Sequence, residues 1–251
     1  MKRQNKSDSL SVLIPVYNEE KTVCTVLKKL ISLNHVDEII VVDDCSEDSS
    51  IQMIKTIQSK KIKFYEHKKN QGKTAAIKTA LSHATGKIII IQDADLEYDP
   101  DEIKDVIEPI ISGYADVVYG SRFLVKKTSR VLFYYHYLAN KFLTTLSNLL
   151  TNLNMTDIET CYKAFRSPII KHMPLSSRGF GMEVEITAMI SRLPIRIFEV
   201  PISYYGRTYS EGKKIGMKDG FMAIWYILYY NILSVRSGES RRYFQKVLDE
   251  L

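Results

Sequence analysis

Cysteine is scarce in this chain: three in 251 residues, at Cys24, Cys45 and Cys161. An odd number at wide spacing, with no CxxC pair, excludes a disulfide framework and a zinc site. It points instead to a reducing compartment with inert thiols. The five histidines, His35, His67, His83, His136 and His172, form no ligand pattern. There is no GxSxG elbow and no cysteine–histidine pairing, so nucleophilic hydrolase chemistry has no residues to work with. Gln71-Gly-Lys-Thr74 resembles the end of a phosphate-binding loop, but His67 stands where the full motif needs glycine, which excludes an ATPase. Met1 to Ser9 is polar and basic and has no apolar signal core. The longest apolar run, Phe221 to Val235, is interrupted by Asn231. It falls short of the ~20 residues a spanning helix needs. No transmembrane helix is therefore expected, and no repeat or low-complexity linker is seen.

What is present is an ordinary globular composition, 45% hydrophobic and 25% charged, which disfavours disorder. Thirty-five basic against 29 acidic side chains give a net charge of +6. That balance suits an anionic partner: a nucleotide, a lipid phosphate, a membrane surface or nucleic acid.

Short apolar runs alternate with helical spacing through the first half. Strands are expected at Leu10 to Pro15, Glu38 to Asp43, Ile62 to Tyr65, Lys87 to Gln92 and Ala115 to Gly120. Helices are expected at Glu19 to Leu33, Ile51 to Gln58, Thr74 to Ala84 and Pro100 to Ser112. This alternation implies an α/β fold with a mostly parallel sheet covered on both faces. Ligands of such sheets bind beyond the carboxyl ends of the strands. Three polar segments fall there: Tyr17 to Glu20, Asp43-Asp44, and Asp93-Ala-Asp95.

The pattern changes after Ser121. Val131 to Asn152 is a long helical stretch carrying Phe133, Tyr134, Tyr135 and Tyr137, with Leu138, Phe142, Leu146 and Leu150 four apart. Met182 to Arg192 reads as a helix and Ile195 to Ser203 as a strand. A basic loop, Arg207 to Lys218, leads to the apolar helix Phe221 to Val235. Arg236 to Leu251 is a charged tail with surface-helix character. Tyrosine-rich amphipathic helices suit a bilayer interface, and equally suit core or dimer packing.

Asp93 and Asp95, just past an apolar strand, can both reach a hard cation that bridges phosphate oxygens. Asp43 and Asp44 can bond a nucleobase or ribose, or cap the next helix. Lys73 can approach a nucleotide or stay solvated. Arg207 to Lys214, with three cations and a glycine, can close over a diphosphate or remain a solvated loop.

Taken in order, Val12-Leu-Ile-Pro-Val-Tyr-Asn-Glu-Glu20, Val41-Val-Asp-Asp-Cys-Ser46, Asn70-Gln-Gly-Lys73, Asp93-Ala-Asp-Leu96 and Gly120-Ser-Arg122 resemble the inverting GT-A-fold glycosyltransferases. The second half narrows the likeness. Thr156-Asp-Ile-Glu-Thr-Cys-Tyr-Lys-Ala-Phe-Arg166, Phe180-Gly-Met-Glu-Val-Glu185 and Pro201-Ile-Ser-Tyr-Tyr-Gly-Arg-Thr-Tyr-Ser-Glu-Gly-Lys-Lys214 are similar to the dolichyl-phosphate mannosyltransferase-like branch. The likeness runs from Leu10 to Ser234.

This resemblance implies a GT-A (Rossmann-like) domain over residues 1–235. Residues 10–125 would bind the nucleotide-sugar, residues 126–235 would hold the acceptor and carry the interface helices, and residues 236–251 would be the tail. It implies that Pro15, Tyr17 and Glu19 line the nucleotide pocket, with Asp44 and Asp43 near the base. Asp93 and Asp95 would hold Mg2+ or Mn2+, with Ala94 beside the nucleotide. Arg122, Arg207 and Lys213 would meet phosphates. Where dolichyl-phosphate mannosyltransferases often carry glutamine, this chain has Glu97, which can join the metal ligands but departs from the GDP-mannose pattern.

The implied reaction moves a sugar from a GDP- or UDP-linked donor to dolichyl or undecaprenyl phosphate, with inversion. The enzyme would lie on the cytoplasmic, inner face of the membrane, with or without a separate membrane partner subunit. A polyprenyl phosphate is already ionised and needs no strong base. A saccharide hydroxyl, the alternative acceptor, would need a carboxylate from among Asp157, Glu159, Glu183 and Glu185. A sugar nucleotidyltransferase would need a glycine-rich basic loop after the first strand, and Val16 to Glu19 is not one. No nucleic-acid motif appears.

Overall fold

The computed structural model describes residues 8–124, 130–131, 133–208 and 217–251. Four parallel strands form one side of its sheet: β1 (Leu10–Val16), β2 (Glu38–Asp43), β3 (Ile62–Glu66) and β4 (Ile88–Ile91). β1 is central, with Val12 opposite Ile39 on one side and Ile90 on the other. Every residue of β2 and β4 is buried, which is why β4 and the middle of β2, Ile39 to Val42, read as unbroken apolar runs.

The sheet continues through β5 (Val117–Ser121), β6 (Lys163–Arg166) and β7 (Ile197–Pro201), in the order β3-β2-β1-β4-β6-β5-β7. β6 runs antiparallel to both β4 and β5, whereas β5 and β7 are parallel. The mostly parallel sheet expected from the sequence is present, and β6 is an addition to it. Its pattern is disguised by Lys163 and Arg166. Lys163 is nonetheless buried, with its ammonium donating to the carbonyls of Ile158 and Thr160 and lying 4.8 Å from the Tyr119 ring centre. Burial pulls its pKa below the usual lysine range.

Helices α1 (Val23–Ser32), α2 (Ser50–Lys55), α3 (Lys73–His83) and α4 (Ile103–Ile111) belong to the first half. α1 buries Val23, Val26, Leu27 and Leu30, the single stripe that helical periodicity demands. It begins four residues later than its pattern suggests, because the Glu19 carbonyl first closes a turn with the N–H groups of Thr22 and Val23.

In the second half come α5 (Tyr134–Thr151), the short α6 (Ser167–Lys171) and α7 (Met182–Ile190). All nine residues of α7 are buried, Glu183 and Glu185 among them. α8 (Met217–Leu228) passes into a π turn over Tyr229–Leu233 and a 3-10 turn over Ser234–Arg236. Asn231, which interrupts the apolar run, sits in the wide turn and donates its amide to the Ile227 carbonyl at 2.8 Å. The charged tail forms α9 (Gly238–Glu250), capped by Ser237 and docked through Tyr243 and Val247.

α5 and α8 pack against each other and leave an aromatic surface. Tyr135 is 83% exposed, Phe221 69% and Trp225 58%. Among the described residues no helix is long and apolar enough to cross a membrane.

Candidate active site

The loops after β1, β2 and β4 lie at the carboxyl ends of parallel strands, where α/β sheets bind ligands. Each holds one residue in the left-handed region: Asn18 (φ 54°), Cys45 (φ 65°) and Leu96 (φ 61°). That conformation costs an L-residue ~1–2 kcal/mol, so each loop is held in place by its surroundings. The first two loops are laced together. Asn18 N–H donates to Ser46 Oγ at 2.9 Å, and Glu47 N–H donates to Asn18 Oδ1 at 2.8 Å. Glu19 N–H donates to Ser50 Oγ at 2.8 Å.

The centre of the site is Asp93 and Asp95, directly past β4. Lys73, the first residue of α3, places its ammonium 3.0 Å from Asp93 and 3.3 Å from Glu183. Arg207 reaches back from the other side. Its guanidinium lies 2.8 Å from Asp95, 3.3 Å from Glu19 and 3.3 Å from Glu97. Each aspartate is thus matched by one cation from a distant part of the chain. Burial, and then the charges of Asp93 and Glu97, push the Asp95 carboxyl up to about 7 despite Arg207. Lys73 is held well above the ordinary lysine range: burial opposes its charge, but Asp93, Cys161 and Glu183 outweigh that.

Hard oxygen donors at the rim, with negative charge in excess, suit a divalent cation. Asp93 and Asp95 are the residues that would hold it. Among the described residues no group of three His, Cys, Asp or Glu side chains is placed to cage a metal. Glu97, expected as a third ligand, is drawn elsewhere. It accepts from the Arg207 N–H at 2.9 Å and from the Tyr204 hydroxyl at 3.0 Å, anchoring the segment that carries Arg207. The other ligands would therefore be diphosphate oxygens or water.

Asp43 and Asp44 are both buried. Asp43 accepts from Ser46 N–H and Oγ. Asp44 accepts from the N–H groups of Gln71 and Gly72 and pairs with His67 at 2.6 Å, fixing the loop that presents Lys73. Neither caps α2; the turn before that helix is closed by Asp48, which accepts from Ser50 N–H at 2.9 Å.

Arg122 is also committed. It grips the fully buried Asp157 through two bonds of 2.7 and 2.8 Å and lies 5.1 Å from the Tyr204 ring centre. Asp157 therefore belongs to an ion pair. Glu185 accepts from Ser176 and Ser177 N–H groups and shapes the turn before α7. Of the four carboxylates named as base candidates, Glu159 and Glu183 alone keep a buried oxygen with no hydrogen-bond partner.

Pro15 is the penultimate residue of β1, Tyr17 stands exposed just beyond the strand, and Ala94 is buried between the two aspartates. Lys213 and most of the basic loop lie outside the described residues. Tyr204, which orients both Glu97 and Arg122, carries no signal in the sequence beyond its place three residues before Arg207.

Known proteins resemble this chain in sequence and in fold. The sequence model described as glycosyl transferase family 2 matches residues 11–173. The UDP-N-acetylglucosamine–dolichyl-phosphate N-acetylglucosaminyltransferase of Methanococcus voltae is 28% identical over 247 residues, covering 91% of this chain and 96% of its own. The undecaprenyl-phosphate 4-deoxy-4-formamido-L-arabinose transferase of Edwardsiella ictaluri is 29% identical over 211 residues, covering 81% of this chain and 62% of its own. Among solved structures, glucosyl-3-phosphoglycerate synthase from Mycobacterium tuberculosis, in complex with Mn2+, uridine diphosphate and phosphoglyceric acid, superposes with a TM-score of 0.69 at 20% identity. That superposition covers 90% of this chain and 79% of the other.

Proposed function

The chain belongs to glycosyl transferase family 2, and from that premise we propose that it moves a sugar from a nucleotide-sugar donor to a polyprenyl phosphate, with inversion. It is a glycosyltransferase of the GT-A fold. The observation that carries the reading is the paired charge at the end of β4: Asp93 with Lys73, and Asp95 with Arg207. Two carboxylates beside two cations suit a metal-bound diphosphate, the leaving group of a nucleotide-sugar. Near full-length similarity to a dolichyl-phosphate transferase, and similarity to an undecaprenyl-phosphate transferase, support a lipid phosphate as acceptor.

In this reaction an acceptor phosphate oxygen attacks the anomeric carbon, the bond from that carbon to the diphosphate breaks, and the nucleoside diphosphate leaves. A divalent ion held by Asp93 and Asp95 would supply charge stabilisation to the leaving diphosphate. Lys73 and Arg207 give that same group cationic donors already aimed at the strand end. Arg122, braced by Asp157, keeps the wall behind Tyr204. The acceptor arrives ionised, so the commitment of Asp157 and Glu185 to other partners removes nothing the reaction needs. Tyr17 can stack on the base, and Asp44 acts by fixing the loop of Lys73. Lys213 is assigned to the acceptor or donor phosphate. The aromatic surface of α5 and α8 suits a lipid headgroup region and supports a membrane-surface enzyme, which we assign to the inner face.

The test is transfer of radiolabel from UDP- and GDP-sugars into undecaprenyl or dolichyl phosphate, with and without Mn2+ or Mg2+, and with Asp95→Ala as control. Labelled lipid that requires both the metal and Asp95 is expected. Turnover of the donor with no labelled lipid would move the acceptor to a saccharide.

A further inference from the structure

A cleft of about 460 Å³ lies between α3, the segment that follows α6, and α9. That volume suits a small organic ligand. None of the residues around it belongs to the catalytic set. The buried Leu175 and Tyr243 give it an apolar floor, and the Tyr243 hydroxyl is fixed by donating to the Ile169 carbonyl at 2.8 Å. Its rim is cationic. Lys78 comes from α3, and Arg242 and Lys246, four residues apart on one face of α9, come from the tail.

These cations are largely unspent. Lys78 gives one hydrogen to the Leu175 carbonyl at 2.9 Å, which leaves two. Among the described residues the Arg242 and Lys246 side chains have no ion pair and no hydrogen bond. The carboxylates near the end of α9 are engaged elsewhere, Glu250 with His172 at 2.9 Å and Asp249 with Gln245 at 2.9 Å. Glu239 is the one carboxylate lining the cleft, against three cations. Like charges gathered from separate elements around one hollow repel each other, and a bound anion turns that repulsion into attraction. Lysine and arginine together offer a phosphate strong charge-assisted bonds.

Glu239 narrows the choice. It has no partner among the described residues either, and it would repel a bare phosphate while accepting hydrogen bonds from hydroxyl groups. The apolar floor suits the C–H face of a sugar or glycerol unit. We propose that this cleft is a second binding site, for a phosphate ester that carries free hydroxyls: a sugar phosphate or the headgroup of a hydroxylated phospholipid. The site does not rest on the transferase reading, since it shares no residue with the Asp93–Asp95 cleft.

The test is titration of glucose 6-phosphate and of inorganic phosphate into the full chain with a chelator present, followed by calorimetry or phosphorus NMR. Wild type is compared with Arg242→Ala/Lys246→Ala, Glu239→Gln, Lys73→Ala and Arg207→Ala, with a thermal melt of each. The double variant should bind glucose 6-phosphate about tenfold or more weakly. Its melting temperature should hold, because both side chains are exposed. Lys73→Ala and Arg207→Ala, which remove the cations of the other cleft, should bind it within about twofold of wild type, and either alone suffices as control. Glu239→Gln should lower the preference for glucose 6-phosphate over inorganic phosphate. Sedimentation with phosphatidylglycerol vesicles separates the sources. Vesicle binding weakened by the double variant identifies a lipid headgroup, and vesicle binding left unchanged identifies a free sugar phosphate. The proposal is overturned if the double variant weakens neither glucose 6-phosphate nor vesicle binding, or if Lys73→Ala or Arg207→Ala weakens glucose 6-phosphate as much as it does. An unchanged preference in Glu239→Gln overturns the assignment of the hydroxyls.

Discussion

Arg207 and Asp95, 112 positions apart in the chain, meet in a 2.8 Å ion pair beyond the carboxyl end of β4. The same guanidinium touches Glu19 and Glu97, so one side chain ties the loop after β1, the loop after β4 and the strand exit after β7 into a single unit. Arg207→Ala is expected to lower kcat for sugar transfer by about 10²–10³, the scale for losing one preorganised donor to a developing anion. Arg207→Lys should recover only part of this, because a single ammonium does not reproduce the fork. Steady-state rates with saturating donor check both.

Asp157→Asn should behave as a stability variant. The substitution strands the Arg122 guanidinium in a buried setting and is expected to cost about 3–5 kcal/mol. Denaturant unfolding measures this. A variant of unchanged stability but abolished turnover would return Asp157 to the role of base.

Glu38 sets an acid limit on the fold. Burial opposes its charge, but hydrogen bonds from Lys63, Ser11 and Thr85 prevail and hold its carboxyl down at about 2. A depressed pKa stabilises the folded state above the unfolded value of 4.5, and that contribution is lost as pH falls towards 2. Wild type should therefore lose stability between about pH 4.5 and pH 2. Glu38→Gln should be less stable at neutral pH by about 2 kcal/mol and show a shallower acid limb. Thermal melts across that range decide it.

The aromatic surface predicts vesicle binding. Phe221→Ala with Trp225→Ala should weaken sedimentation with anionic vesicles by about a hundredfold, at roughly 1.5 kcal/mol per large side chain withdrawn from the interface. Nucleotide binding should be unaffected. Deleting residues 131–152 should abolish vesicle binding, and equal binding before and after would count against the interface role.

Much of this molecule was legible in the sequence. β1, β2 and β4 announce themselves because burial on both faces leaves runs of three or more consecutive apolar residues, Val12–Ile14, Ile39–Val42 and Ile88–Ile91, and the place of Asp93 and Asp95 just past a strand end was readable in the same way. β6 was hidden by Lys163, a charge whose burial depends on carbonyls that sequence does not reveal. The pairing of Arg122 with Asp157 was equally invisible, since both residues were named and nothing in their spacing brings them together. Asp43 and Asp44 illustrate a subtler limit. Their position beside the site was readable, but their orientation, turned inwards to Ser46 and to the loop of Lys73, depends on backbone donors supplied only by the fold.

The two cation–carboxylate pairs at the end of β4 make the cleft its own counter-ion reservoir. Asp93 and Asp95 are each paired with a cation from within the chain, so assembling this corner should not depend on a supply of divalent salt. The protein should fold in the presence of a chelator and keep its melting temperature, then regain transfer on adding Mn2+. Ligand capture would then resemble ion exchange on a resin: Lys73 and Arg207, now held by the aspartates, would turn to an incoming diphosphate as Asp93 and Asp95 took up a divalent ion.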